Sequence, residues 1–294
     1  MILDNKNMII LVTGANGQLA SEIRNISSNF PRYHLIFTTK EELPIEDVNA
    51  VNAFFEKNQI HYCVNCAAYT AVDKAETDTE NAYKVNADAV GILASVCNAH
   101  QTKFIHISTD YVYDGSTEKA LKEDDAVAPL NVYGWSKLKG EELALNKNPS
   151  SIIIRTSWVY SAFGNNFVKT MLRLFREKEE INVVADQYGS PTYAADLAEV
   201  IIHLIDEIEG GKNFAGIFNY SNEGVINWYE FSLAIKEITN SKCRINPIPS
   251  SSYKMPAMRP QYSVLDKSKI KTTANIAIPF WKDSLQKCIA RLEK

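Results

Sequence analysis

Tyr133 and Lys137 stand four positions apart in VYGWSKLKGE, so on a helix both side chains project from one face. An ammonium near a phenol favours the phenolate and eases release of the phenolic proton, which is what reduction of a carbonyl requires. The free phenol titrates near pH 10, and each unit of depression corresponds to roughly 1.4 kcal/mol. The same spacing also fits a half-buried tyrosine beside a solvated lysine on an ordinary surface helix. A third group separates the two readings. FIHISTDYVYDG sets Ser108 and Thr109 at the end of an apolar strand, the edge at which a parallel sheet presents cofactor and substrate groups. A Thr109 hydroxyl there reaches a substrate carbonyl or the phenol, and Thr109, Tyr133 and Lys137 form a coherent carbonyl-reducing set. Trp135, between the pair, is expected to pack the helix.

Such a set needs a hydride carrier, and TGANGQLA lies where the first strand turns into the first helix. Gly14 adopts backbone angles closed to other residues, Gly17 lets a pyrophosphate approach the helix start, and the third position is the small Ala20. Free amide donors and the helix dipole favour the anion. The second strand ends in Thr38, Thr39 and Lys40, whose hydroxyls and ammonium suit a ribose phosphate and predict NADPH. Glu41 and Glu42 follow at once and keep NADH possible.

The elements that must position these groups recur in order. MIILVT, HLIFTT (34–39), a strand at 62–67, another at 103–108 and SIIIRTS (151–157) are short apolar runs. They alternate with helical segments near 17–26, 48–57, 79–98 and from Asn131 onward. Near-continuous apolar strands separated by helices predict a Rossmann-like, doubly wound parallel α/β sheet covered on both faces. Residues 1–160 are read mainly as this dinucleotide-binding domain. Residues 161–294 are read mainly as a smaller α/β substrate lobe, with some segments returning to the first domain. Its strands are expected near 181–185, 216–220 and 243–247, and its helices near 166–177, 194–207 and 228–239.

Composition narrows the partners. A formal charge of -4 over 294 residues leaves no basic excess for a nucleic acid. No apolar run reaches membrane-spanning length, and the N-terminal residues lack the pattern of a secretory signal, so the cytoplasm is the expectation. Cys63, Cys66, Cys97, Cys243 and Cys288 read as structural thiols, the CxxC falling in a strand rather than at a redox helix. The five histidines show no ligand spacing, and His106 reads as a satisfied strand residue. No metal ligand is assigned. Arg155 reads as a phosphate ligand or an ion-pair partner, Arg259 in MRPQYS as a diphosphate ligand or a structural residue, and Trp158 as an apolar wall for a sugar or a core tryptophan at the sheet edge.

TGANGQL, NCAAYTAVDKAE, STDYVYDG and YGWSKLKGE together resemble the extended short-chain dehydrogenase/reductase family. RTSWVY, NNFVKTML, DQYGSPTYAADLA and RPQYSVLD extend the resemblance, over essentially the whole chain, to its nucleotide-sugar reductases. It implies reduction of dTDP-4-dehydro-L-rhamnose at C4 to dTDP-L-rhamnose. Thr109 matches the catalytic hydroxyl, Tyr133 the proton donor, and Lys137 the group that holds the nicotinamide ribose. Gly14, Asn16, Gly17, Gln18 and Leu19 match the pyrophosphate loop, Ala67, Ala68 and Tyr69 the segment beside the cofactor, and Asn86 a supporting position. Thr70, Val72, Asp73, Tyr111, Trp158 and Gln187 fall in segments resembling the sugar-nucleotide site. Family members also bind magnesium through carboxylates at a dimer interface; Glu22 is retained, but Ala195 stands where that pattern has Glu. Neither monomer nor homodimer is favoured. The competing readings are a nucleotide-sugar epimerase or 4,6-dehydratase, and a noncatalytic dinucleotide-binding regulator. Asp110 is followed by Tyr111 rather than the second carboxylate of a dehydratase, and the intact Thr/Tyr/Lys set argues against a regulator.

Overall fold

A computed structural model describes residues 8–293. Residues 1–7, on which part of the reading of the N-terminus rests, lie outside those described. The first elements in chain order are β1 (Met8–Thr13), α1 (Gln18–Ile26), β2 (Tyr33–Thr38), α2 (Val48–Asn58), β3 (Tyr62–Asn65), α3 (Val72–Ala75), α4 (Thr79–Tyr83), α5 (Ala89–Ala99), β4 (Lys103–Thr109), α6 (Val132–Lys147) and β5 (Ile152–Thr156). There follow β6 (Val159–Tyr160), α7 (Phe167–Glu177), β7 (Glu180–Val184), β8 (Tyr188–Gly189), β9 (Thr192–Tyr193), α8 (Ala194–Glu209), β10 (Gly216–Asn219), β11 (Ile226–Asn227), α9 (Trp228–Ile238), β12 (Arg244–Ile248), α10 (Ser268–Ala274) and α11 (Trp281–Leu292).

Six strands form one parallel sheet in the order β10-β5-β4-β3-β1-β2. The chain steps outward from β1 to β2, then returns to place β3 on the other side of β1. That reversal opens a crevice at the carboxyl ends of β1 and β3, where doubly wound sheets bind ligands. Strand alternation divides the core. Ile10, Val12 and Val64 face α1 and α8, packing on Ile23, Leu197 and Ile201. Leu11, Cys63 and Phe104 face the other way, onto Val51, Phe55, Leu93 and Cys97. Both faces of each central strand are therefore apolar, as the unbroken runs in the sequence require. A separate core joins Val168 and Met171 of α7 to Phe231 and Ile235 of α9 and to Trp281 and Leu285 of α11, beside the parallel pair β7-β12. No helix among the described residues is long and apolar enough to cross a membrane.

Two local departures from the sequence expectations matter for the site. The helix expected over 79–98 is interrupted by a π-turn at Lys84–Asp88, which swings Asn86 inward to full burial. Trp135, expected to pack the helix, is left 48% exposed.

Candidate active site

Helix α6 is held by its first turn. The Asn131 side chain accepts from the Gly134 amide at 2.8 Å and donates to the Met258 carbonyl at 2.7 Å, fixing the helix start against the C-terminal segment. A Cβ on Gly134 would lie 2.3 Å from the Tyr111 carbonyl oxygen, so only glycine allows α6 to approach the turn after β4. This approach brings Tyr133 to Tyr111, edge to face at 5.7 Å, and to Thr109 at the end of β4. Beneath them Glu141 and Arg155 form a buried ion pair at 2.6 Å, and Ser108 donates to Glu141. Arg155 is thus a structural ion-pair partner.

Thr109, Tyr133 and Lys137 line one cleft of about 560 Å³, together with Asn16, Gly17, Gln18, Leu19, Ala68, Thr70, Val72, Tyr111 and Trp158. The Thr109 hydroxyl donates to Asp110 at 3.0 Å and accepts from the Tyr111 amide at 3.2 Å. Lys137 is buried and donates to the Ile107 carbonyl at 2.6 Å. Loss of water lowers this lysine to about 8, opposed by the nearby charge of Glu141. The phenol differs from the sequence expectation. Desolvation pushes Tyr133 up to about 12, with the Thr109 hydroxyl pulling the other way, so the phenol of the free protein is held protonated.

The opposite wall suits a dinucleotide. Gly14 has φ +69°, and a Cβ there would sit 2.7 Å from the Ala67 amide nitrogen, so the ends of β1 and β3 touch only through glycine. Gly17 begins α1 with no side-chain cap and no acidic residue in the first turn, leaving amides free for an anion. The 67–69 turn is gripped by Asn86, which accepts from the Tyr69 amide at 2.8 Å and donates to its carbonyl at 3.0 Å. At the end of β2 the Thr39 amide donates to Glu42 at 2.8 Å, and Lys40 pairs with Glu46 at 3.1 Å.

The remaining expected residues stand apart from the catalytic groups. Asp73 and Arg259 form a two-pronged ion pair at 2.7 and 3.1 Å, and Arg259 holds the Asp73 carboxyl below its usual range. Gln187 and Arg259 line a second, more apolar cavity of about 850 Å³ between the 250–261 segment and helix α7. Trp228 lines both cavities. It stacks on Trp158 with centroids 3.6 Å apart and planes 11° from parallel, while Trp158 itself sits at φ +48°. Trp228 escapes sequence reasoning because the only motif around it, the Asn227–Glu230 capping box, signals a helix start and no ligand. Asp110, read from the sequence only as half of a dehydratase pair, is buried in the cleft lining, and burial raises its carboxyl to about 6.

The carboxylate Glu22 is fully buried, accepts from Ser161 at 2.6 Å and pairs with Arg291 at 2.7 Å. Arg291 also donates to the Tyr193 hydroxyl at 2.7 Å. A guanidinium already supplies the cation at this carboxylate, and Ala195 supplies no ligand. Among the described residues no three His, Cys, Asp or Glu side chains are grouped to hold a metal ion. The site does not fit magnesium.

A family model described as the RmlD substrate binding domain matches residues 8–294. A dTDP-4-dehydrorhamnose reductase from Aggregatibacter actinomycetemcomitans is 38% identical over 291 residues, covering 97% of this chain and 99% of that protein. The chain belongs to the dTDP-4-dehydrorhamnose reductase family. Solved members share its fold throughout. The reductase from Clostridium acetobutylicum superposes with a TM-score of 0.93 at 39% identity, covering 98% of this chain and 100% of that one. The reductase from Bacillus anthracis, solved in complex with NADP, gives 0.92 at 35% identity, covering 97% and 99%.

Proposed function

We propose that this chain reduces the C4 ketone of dTDP-4-dehydro-L-rhamnose with NADPH, giving dTDP-L-rhamnose. The observation that carries the reading is the convergence of Thr109, Tyr133 and Lys137 on one wall of a cleft whose other wall is the glycine turn at the uncapped start of α1. Gly14, Asn16, Gly17, Gln18 and Leu19 would hold the pyrophosphate, Ala67, Ala68 and Tyr69 would flank the cofactor, and Thr39 and Lys40 would receive the ribose phosphate. Bound NADPH supplies the hydride.

The protein's own part is acid catalysis and charge stabilisation. A phenol held near 12 remains protonated at neutral pH, the state a proton donor to a developing alkoxide must have. The Thr109 hydroxyl orients the carbonyl and stabilises its charge as it grows. Lys137, ionised at neutral pH, holds the ribose and returns a proton to Tyr133. Trp158 walls the sugar, with Thr70, Val72 and Tyr111 beside it. The thymidine diphosphate extends toward the second cavity, where Gln187 lies and where Arg259, steadied by Asp73, meets the diphosphate. On this reading the lobe built mainly from 161–294 holds the nucleotide. NADPH and sugar nucleotides are cytoplasmic metabolites, and we place the reaction there.

The test is incubation with dTDP-4-dehydro-L-rhamnose and NADPH or NADH, following reduced-nicotinamide absorbance and identifying the sugar by NMR. Stoichiometric oxidation with dTDP-L-rhamnose formed, faster with NADPH, is expected. Product without net oxidation would make it an epimerase or dehydratase.

A further inference from the structure

Behind Lys137 lies a row of buried polar side chains that the reduction leaves unused. Thr13 on β1, Asn65 on β3 and His106 on β4 cross three neighbouring strands and end at the lysine on α6. Thr13 Oγ1 is 2.6 Å from Asn65 Oδ1, Asn65 Nδ2 is 3.0 Å from His106 Nδ1, and His106 Nε2 is 3.2 Å from Lys137 Nζ.

The direction of this row follows from the Thr13 hydroxyl, which has no other acceptor among the described residues and donates to Asn65 Oδ1 at 2.6 Å. The Ala67 backbone N–H, shared between Asn65 Oδ1 at 3.3 Å and Thr13 Oγ1 at 3.4 Å, approaches from the same side. The oxygen of the Asn65 amide therefore faces β1, and its NH2 faces His106. Because that NH2 donates, Nδ1 must accept, and a neutral imidazole then carries its single proton on Nε2. Burial and the adjacent Lys137 charge keep the imidazole neutral, far below its usual titration range. Its Nε2–H points at a lysine nitrogen that already donates to Ile107. A lysine amine has a lone pair to receive this N–H; an ammonium has only donors to set against it.

We propose that His106 is a positioning residue acting through Lys137: fixed by Thr13 and Asn65 with its proton on Nε2, it favours the amine over the ammonium and so eases release of the lysine proton after catalysis. The inference rests on the reductase reading above. In each turnover Tyr133 gives its proton to the alkoxide oxygen, and the phenolate regains one at the expense of the Lys137 ammonium. The resulting amine accepts the His106 N–H until solvent in the cleft returns a proton, so one proton is consumed per ketone reduced. The other groups facing Lys137 do not duplicate this role. Glu141, one turn along α6 and tied to Arg155, favours the ammonium, and burial keeps the Cys66 thiol of the β3 end neutral.

A 15N NMR titration of Lys137 Nζ in the full-length, ligand-free protein reads this without any substrate. His106→Leu removes the opposing N–H and is expected to raise the proton affinity of Lys137 about fivefold. Asn65→Ala removes the donor to Nδ1, lets the imidazole carry its proton there instead and is expected to raise it about twofold, and it decides alone if the His106 variant does not fold. The alkaline limb of kcat should move upward in parallel, with KM for the sugar nucleotide little changed. An unmoved or lowered midpoint in the folded variants overturns the proposal. A raised midpoint in a protein whose wild type reduces no sugar upholds the tautomer lock and removes the reductase reading instead.

Discussion

Replacing Asp110 with Asn should make the protein more stable at neutral pH and slower. One Asp110 carboxylate oxygen accepts from Thr109 at 3.0 Å, and the other makes no hydrogen bond among the described residues. Burial is the largest influence on this carboxyl and lifts it from an ordinary 3.8 to about 6, against the nearby Ser263 and Thr109 hydroxyls. Between those values the folded chain binds more protons than the unfolded chain. The stability this group contributes is therefore fully present below pH 3.8 and is lost as pH rises through about 6. The gap amounts to roughly 3 kcal/mol by neutral pH. An amide escapes that cost but buries an N–H with no acceptor, at about 1–2 kcal/mol, so a net gain of about 1–2 kcal/mol remains. Urea unfolding at about pH 7.5 and again near pH 4 measures it, since the gain should vanish once the wild-type carboxyl is protonated. Turnover should fall at least tenfold, roughly 1.4 kcal/mol, as the charged acceptor that orients Thr109 is gone. A variant no more stable than wild type at neutral pH, or one whose advantage persists at pH 4, would refute the reasoning.

Trp228→Leu removes the ring that holds Trp158 in a left-handed backbone costing about 1–2 kcal/mol. The stack itself is worth about 0.5–1.5 kcal/mol, so KM for the sugar nucleotide should rise about tenfold with KM for NADPH unchanged; equal rises in both would count against it. Arg291→Met strands the buried Glu22 and should cost about 2–3 kcal/mol in chemical denaturation, while a chelator leaves wild-type unfolding and turnover unaltered. Because Lys137 sits near 8, kcat at saturating substrates should decline as pH rises through that value; a rate still level well above it would show that the ammonium is dispensable.

The parallel sheet was legible because its central strands are buried on both faces and read as unbroken apolar runs, Ile10 to Val12 and Ile152 to Ile154 among them. The two-residue strands β6, β8, β9 and β11 were not, being too short for any period to show. Helix α11 starts after Phe280 with no side-chain cap, so its local signal is weak, although Trp281, Leu285, Cys288 and Ile289 trace a helical face. In the site, chemistry carried by local motifs was visible: Gly14–Leu19, Ser108–Thr109 and Tyr133 with Lys137 converge on one cleft. What depends on distant chain partners was hidden. Asp73 meets Arg259 across 186 positions, Glu22 meets Arg291 across 269, and Trp158 meets Trp228 across the smaller lobe. His106 looked like strand filler because alternation reports a side chain's face but not the polar neighbour waiting there. Tyr133 likewise looked acidified by Lys137, since spacing suggests a nearby charge but not the burial that raises the phenol.

The central claim, that Tyr133 is the acid that protonates C4 oxygen, is tested most directly by Tyr133→Phe. Single-turnover reduction of dTDP-4-dehydro-L-rhamnose should slow about 10²–10⁴-fold while NADPH affinity stays within about twofold of wild type. Undiminished hydride transfer in that variant would contradict the account.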